Sequence, residues 1–200
     1  MSIVGLDLAG VPNRPTGFCK LLAMKAETTL VYTDEEILTK IMEINPHVVA
    51  IDAPLSMPPG RKSLEERTSP HLRACDKELL KRGIKFFPVT LGPMRKLTAR
   101  GIKLRHVLEA KNIIAVEAYP GGAQDVLGIP RKQKGLDRLK AGLERLGIKE
   151  LHNQMSDHEL DAVTCAYVGK LFLEGNAVIY GAPDDGIVMP KGEVNRMKQT

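Results

Sequence analysis

Three stretches of this chain are apolar almost without interruption, and each carries an acid: Ile3-Val4-Gly5-Leu6-Asp7-Leu8-Ala9, His47-Val48-Val49-Ala50-Ile51-Asp52-Ala53 and Ile113-Ile114-Ala115-Val116-Glu117-Ala118. Short runs of this kind bounded by Gly or Pro read as buried strands, and continuous apolarity in the last two suits parallel pairing with both faces covered. In the first run, alternation puts Val4, Leu6 and Leu8 on one face and Gly5, Asp7 and Ala9 on the other. Asp7 is thus flanked by small residues. Desolvating an unpaired carboxylate is costly, so Asp7 caps a loop, pairs with a cation or holds a metal ion.

Between the first two runs, Phe18–Met24 and Thr28–Tyr32 read as further strands joined by Lys25-Ala26-Glu27, giving a three-stranded antiparallel meander. Thr33-Asp34-Glu35-Glu36 is a capping box, and Ile37, Leu38, Ile41, Met42 and Ile44 supply an apolar helix face ended by Asn45-Pro46. After the second run, Leu55–Lys62 is a loop. Ser63 and Glu66 suggest another capping box, Ser69-Pro70 opens a helix ending near Gly83, and Gly92–Lys111 is helical with a break at Gly101. Residues 55–111 therefore read as a helical insertion within one domain spanning 1–200. After the third run, Gly121-Gly122 marks a turn and Leu136–Leu146 an amphipathic helix closed by Gly147. Ser156-Asp157-His158-Glu159 caps a helix reaching about Leu173, whose Ala162, Cys165, Ala166 and Gly169 allow close approach to a sheet. Ala177–Tyr180 and Gly186–Met189 are short strands or an extended tail, and the chain frays from Lys191.

Charge sharpens this outline. The net charge is +5, yet residues 61–111 hold 14 Lys and Arg against 5 Asp and Glu, a net +9, leaving −4 elsewhere. A basic segment on a mildly acidic body suits a polyanionic partner, or a merely solvated helical face. Four Phe, four Tyr and no Trp are few for a binder built on base-stacking platforms. Cys19, Cys75 and Cys165 form no CxxC pair, which argues for a reducing cytoplasm and against a thiolate zinc site. No run of apolar residues is long enough for a membrane span and no signal peptide is visible.

On the last helix, Asp157 and Asp161 share a face, with His158 beside Asp161. Asp157 also suits a surface acid favoured by the helix dipole, and His158 a solvent-facing helix residue. Asp161, deeper in the helix beside Leu160 and Ala162, is harder to explain that way.

The order of elements, with Gly5-Leu6-Asp7-Leu8-Ala9-Gly10, Ile51-Asp52-Ala53-Pro54-Leu55-Ser56 and His158-Glu159-Leu160-Asp161-Ala162, resembles the ribonuclease H-like fold. The last motif resembles the HxxDA or DxxDA terminal-helix signature of RuvC-type resolvases. With Val116-Glu117-Ala118-Tyr119-Pro120, the chain resembles domain of unknown function 429, proteins held to be RNase H-like nucleases, over roughly residues 1–190. The resemblance implies an α/β mixed sheet, three antiparallel strands followed by parallel ones, flanked by helices.

It also implies a nuclease hydrolysing phosphodiesters with Mg²⁺ or Mn²⁺ at a two-metal site, the ions about 3.5–4 Å apart. Asp7 would bridge them, Asp52 or Glu117 would hold one, and Asp161 with Asp157 or His158 would complete the second. Arg61, Arg73, Arg95 and Arg100 are the candidates for holding phosphates of DNA or RNA. Two other classes compete: a catalytically silent nucleic-acid-binding or scaffold protein of the same fold, and an actin- or sugar-kinase-like phosphotransferase, which a chain too short for a duplicated domain disfavours. Oligomeric state, including a homodimer, stays open.

Overall fold

The computed structural model describes residues 1–67 and 70–193. One mixed sheet of seven strands organises them, in the order β3-β2-β1-β4-β5-β7-β6. β1 (Ser2–Asp7), β2 (Thr16–Leu22) and β3 (Lys25–Val31) form the antiparallel meander. β4 (Val48–Asp52) pairs parallel with β1, and β5 (Ala115–Ala118) parallel with β4. β7 (Ile187–Pro190) then pairs parallel with β5, and β6 (Ala177–Tyr180) closes the edge antiparallel to β7.

The β2–β3 connection is tighter than expected. Lys25-Ala26-Glu27 is not the link but part of β3, because Ala23 and Met24 make a two-residue turn with φ of 48° and 66°. Such turns twist in the sense the strands need, but Ala and Met are not the residues that announce one.

Helices cover both faces of the sheet. On one, α1 (Asp34–Ile44) and α3 (Gly92–Glu109) bury Ile37, Ile41, Leu104 and Leu108 against Val4, Leu6, Val49 and Ile51. On the other, α5 (Leu136–Arg145) and α6 (Asp157–Leu173) bury Leu139, Leu143, Leu160 and Val163 with Ile3, Cys19, Leu21 and Val48. Of the three capping boxes expected from the sequence, Thr33 with Glu36 and Ser156 with Glu159 cap helices as expected. α6 lies unusually close to β1 and β2. A Cβ on Gly5 would sit 2.1 Å from the Ala162 carbonyl oxygen, and one on Gly17 would sit 2.0 Å from that of His158.

Between β4 and β5 the helices differ in detail from the sequence expectation. Ser63 accepts from the Glu65 N–H and Glu66 from the Lys62 N–H, but they cap a turn rather than a helix. Ser69, expected as an N-cap, lies outside the described residues; Pro70 is not helical, and α2 (Ala74–Lys81) begins later because Asp76 accepts from the Arg73 N–H. α3 runs unbroken through Gly101. That glycine serves close packing: its added Cβ would meet the Pro54 carbonyl oxygen at 2.8 Å. Gly121-Gly122 is not a turn but the first turn of α4 (Pro120–Leu127), with Pro120 at its N-terminus where a missing N–H costs nothing. A short 3-10 turn, Lys132–Lys134, precedes α5.

Candidate carboxylate site

Asp7 and Asp52 end adjacent parallel strands and are direct register partners. Register partners project to the same face, and both lie on the face covered by α6, as Gly5 and Ala50 do. Asp161 comes from α6 to within electrostatic reach of Asp52, because the small residues of that helix let it press onto β1. Burial, then the charges of Asp7 and Asp161, push the Asp52 carboxyl well above its ordinary pKa. Among the described residues Asp52 accepts no hydrogen bond and makes no ion pair, although it is at least half-buried.

Its neighbours are held. His158 places Nδ1 2.7 Å from Oδ2 of Asp7, and this hydrogen bond raises the imidazole pKa above its usual value despite partial burial. Lys132 donates to Oδ2 of Asp161 at 2.9 Å and to Oδ2 of Asp157 at 3.0 Å. Gln124 Nε2 donates to Oδ1 of Asp161 at 2.9 Å and to the Thr164 hydroxyl at 3.1 Å. Burial raises the Asp161 carboxyl against the opposing pull of Lys132. At Asp157 burial is the largest single influence, but the hydrogen bond and charge of Lys132, together with His158, outweigh it and the carboxyl is lowered.

Glu117 faces the other way. Its register partner is Ile51, not Asp52, and Ile51 packs against the α1–α3 layer. There Arg73 grips Glu117 with both terminal nitrogens, at 2.7 and 2.8 Å, and the Leu55 N–H donates to it at 2.8 Å. Arg73 also binds Asp76 at 3.0 Å.

Of the four arginines singled out for phosphates, three are buried with protein partners. Besides Arg73, Arg61 donates to the carbonyls of Ser63, Leu64, Glu66 and Pro70. Arg100 donates to Asp34 and to the carbonyls of Ala9 and Tyr32, each at 2.7 Å. Arg95 is partly exposed and pairs with Glu65 at 2.7 Å. An arginine's charge alone says nothing about which oxygens occupy its five donors.

Lys132 and Gln124 were not singled out from the sequence. Lys132 sits in a polar run with no periodicity. Gln124 was hidden by reading Gly121-Gly122 as a turn, although Tyr119-Pro120 is also a helix-opening signal.

Oxygen donors of this kind suit a hard divalent cation, and the unpartnered Asp52 beside Asp7 is the position such a cation would fit. As placed, no three His, Cys, Asp or Glu among the described residues are grouped closely enough to hold an ion. Lys132 and His158 stand against the outer oxygens instead.

An RNase H-like α/β fold with two neighbouring carboxylates, Asp7 and Asp52, at the ends of adjacent central strands is the class that this structure defines. The chain belongs to the family described as Protein of unknown function (DUF429), whose pattern matches residues 5–185. Its fold is similar to that of Thermus thermophilus RuvC in complex with a Holliday junction substrate, with TM-score 0.53 and 14% identity over 88% of this chain and 96% of that one. A second T. thermophilus RuvC structure matches with TM-score 0.50 and 14% identity, covering 94% of this chain and all of the other. No curated protein matches the chain in sequence. No helix among the described residues is long and apolar enough to cross a membrane.

Proposed function

We propose that this protein is a divalent-metal-dependent nuclease that hydrolyses phosphodiester bonds, with Asp7, Asp52 and Asp161 as its metal-holding carboxylates. The observation that carries this reading is Asp52. A carboxylate at the end of a core strand, without a partner and beside two other acids, opposes stability unless a cation joins it. Asp7 and Asp52 come from one pair of strands and are fixed relative to each other by the ladder, as a preorganised site requires. Asp157 and His158 flank the third acid on the first turn of α6. Mg²⁺ or Mn²⁺ bound there would polarise a phosphoryl oxygen and make bound water a better nucleophile. His158, held at Nδ1 by Asp7, supplies a group able to hold a proton beside the reacting phosphate. Glu117 is left out of this set, since Arg73 already neutralises it. The substrate is a nucleic acid, and the junction held by the T. thermophilus RuvC of similar fold makes branched DNA the first to test.

A second reading is a catalytically silent nucleic-acid-binding protein of the same fold. The counter-ions already seated on Asp161 and Glu117 favour it.

One experiment separates the two. Single-stranded, duplex, hybrid and junction substrates are incubated with wild type and Asp52→Asn in Mg²⁺ and in Mn²⁺. Metal-dependent cleavage by the wild type alone supports the nuclease. Salt-sensitive binding without cleavage of any substrate supports the silent binder.

A further inference from the structure

We propose that Lys132 is an internal counter-ion which occupies the carboxylate site in the metal-free protein and is displaced when a divalent cation binds. This deepens the metal-site reading above and rests on it.

The cations seated on Glu117 and on Asp161 differ in kind. Arg73 on Glu117 is sealed, with side chains 5% and 6% exposed, and makes planar two-pronged contact. Lys132 is 31% exposed and approaches Asp157 and Asp161 from the solvent side as a single ammonium. A lysine is a hydrated point charge on a flexible stem, so withdrawing it into water costs far less than extracting a buried guanidinium. Its backbone, in contrast, is anchored. Arg131, the preceding residue, donates to both oxygens of Asp125 at 2.8 and 2.5 Å, and the 3-10 turn begins directly after it. The side chain can leave while the loop stays.

The position is also selective. Lys132 takes the Oδ2 atoms of Asp157 and Asp161, whereas Gln124 holds Oδ1 of Asp161 from the core side. Gln124 therefore keeps Asp161 aimed at the site after the ammonium has gone. Asp52 receives only the distant field of Lys132 and has no contact with it. Lys132 consequently holds the α6 acids apart from the strand acids' own need for a cation. A divalent ion that bonds Asp161 and satisfies Asp52 as well outcompetes it, and the metal-free cluster is spared the full repulsion of four carboxylates.

The test uses the full chain and Mn²⁺ or Mg²⁺ alone, without substrate. Mn²⁺ titrations of wild type, Lys132→Gln and Lys132→Arg are followed by calorimetry. Removing the competing charge should tighten Mn²⁺ binding in Lys132→Gln by about tenfold or more, given unit charges a few ångströms apart at reduced dielectric. Lys132→Arg, which keeps the charge, should bind no more tightly than wild type. In the wild type, Mg²⁺ should also raise chemical acetylation of Lys132, read by mass spectrometry, by about threefold or more relative to the other lysines. That second readout does not depend on any variant folding.

Unchanged Lys132 labelling in a wild type that binds metal, with Asp52→Asn abolishing the binding, overturns the counter-ion proposal and leaves the metal site standing. Mn²⁺ binding to Lys132→Gln no tighter than to wild type does the same. If the wild type and Lys132→Gln both bind no metal, the metal-site reading and this proposal fall together.

Discussion

Arg73 and Glu117 form a sealed two-pronged ion pair, at 2.7 and 2.8 Å, that ties the start of α2 to the end of β5. Removing one partner strands a buried charge, whereas replacing both with apolar residues of similar size is often tolerated. Arg73→Met should therefore cost about 3–5 kcal/mol in urea unfolding. The Arg73→Met, Glu117→Met double variant should recover only part of that loss, because buried Asp76 still lacks its guanidinium partner, and its metal response should match the wild type. A double variant that loses metal binding would return Glu117 to the site.

Asp52→Asn should stabilise the metal-free protein at neutral pH. The folded pKa of Asp52 is raised, first by burial and then by Asp7 and Asp161. A raised acid binds its proton more tightly in the folded state, so ionising it costs stability once pH exceeds the unfolded value of about 3.9. Asn removes that cost. The gain, measured by denaturant melts across pH, should therefore shrink as pH falls toward about 4. Added Mg²⁺ should raise the melting temperature of the wild type more than that of the variant, because a ligand stabilises only the state that binds it. A variant less stable than wild type at pH 7 would mean that Asp52 has a favourable partner.

His158 should titrate above the ordinary histidine value, because Asp7 accepts a hydrogen bond from its Nδ1 when the ring is protonated. The sign follows directly. The contribution of this pair to stability is fully present below about pH 6.5, the unfolded value, and is lost as pH rises through the raised folded value. Asp7→Asn should return the His158 titration, followed by NMR of the ring protons, toward the ordinary range. The fold should be retained, since Asn fits beside Gly5 without new volume, while metal-dependent cleavage should be lost. A His158 titration unmoved by Asp7→Asn would show that the two side chains do not interact in solution.

Gly5→Ala should disrupt both the fold and the site. The new methyl would sit 2.1 Å from the Ala162 carbonyl oxygen and 2.4 Å from the Ala166 nitrogen, both backbone atoms of α6. Neither can rotate away, so the helix must shift, at a cost of about 3 kcal/mol. Because α6 carries His158 and Asp161, the variant should also bind Mn²⁺ less tightly than wild type, as read by calorimetry. Wild-type stability in this variant would contradict the close helix–sheet contact.

The meander, the first helix, the parallel strands and the capped terminal helix were all legible in the sequence. Their signals are local: apolar runs bounded by Pro, and capping boxes at Thr33 and Ser156. The small residues at Ala162, Ala166 and Gly169 likewise announced a helix pressed onto a sheet, where a Cβ on Gly169 would stand 3.3 Å from that of Ala50. Where one residue could serve two geometries, local reading failed: Gly101 lies inside a helix rather than breaking it, and Gly121-Gly122 begins one.

The acids show the boundary most sharply. Sequence alternation put Asp7 on the face of β1 opposite Val4 and Leu6, and the structure keeps it there. The same alternation cannot relate Glu117 to Asp52, because that depends on how β5 slides along β4. The ladder sets Glu117 against Ile51, so one residue of register sends it to the other side of the sheet. Lys132 is a tertiary decision of the same kind. It stands 25 residues from Asp157 in sequence, at the start of a 3-10 turn without apolar periodicity, and the fold of that turn, beside Arg131 anchored on Asp125, brings its ammonium to the carboxylates. Residue type and local period determined which acids this chain carries on strands and helix. Register and loop anchoring, which depend on contacts far apart in sequence, decided which of those acids share a face and which cation meets them.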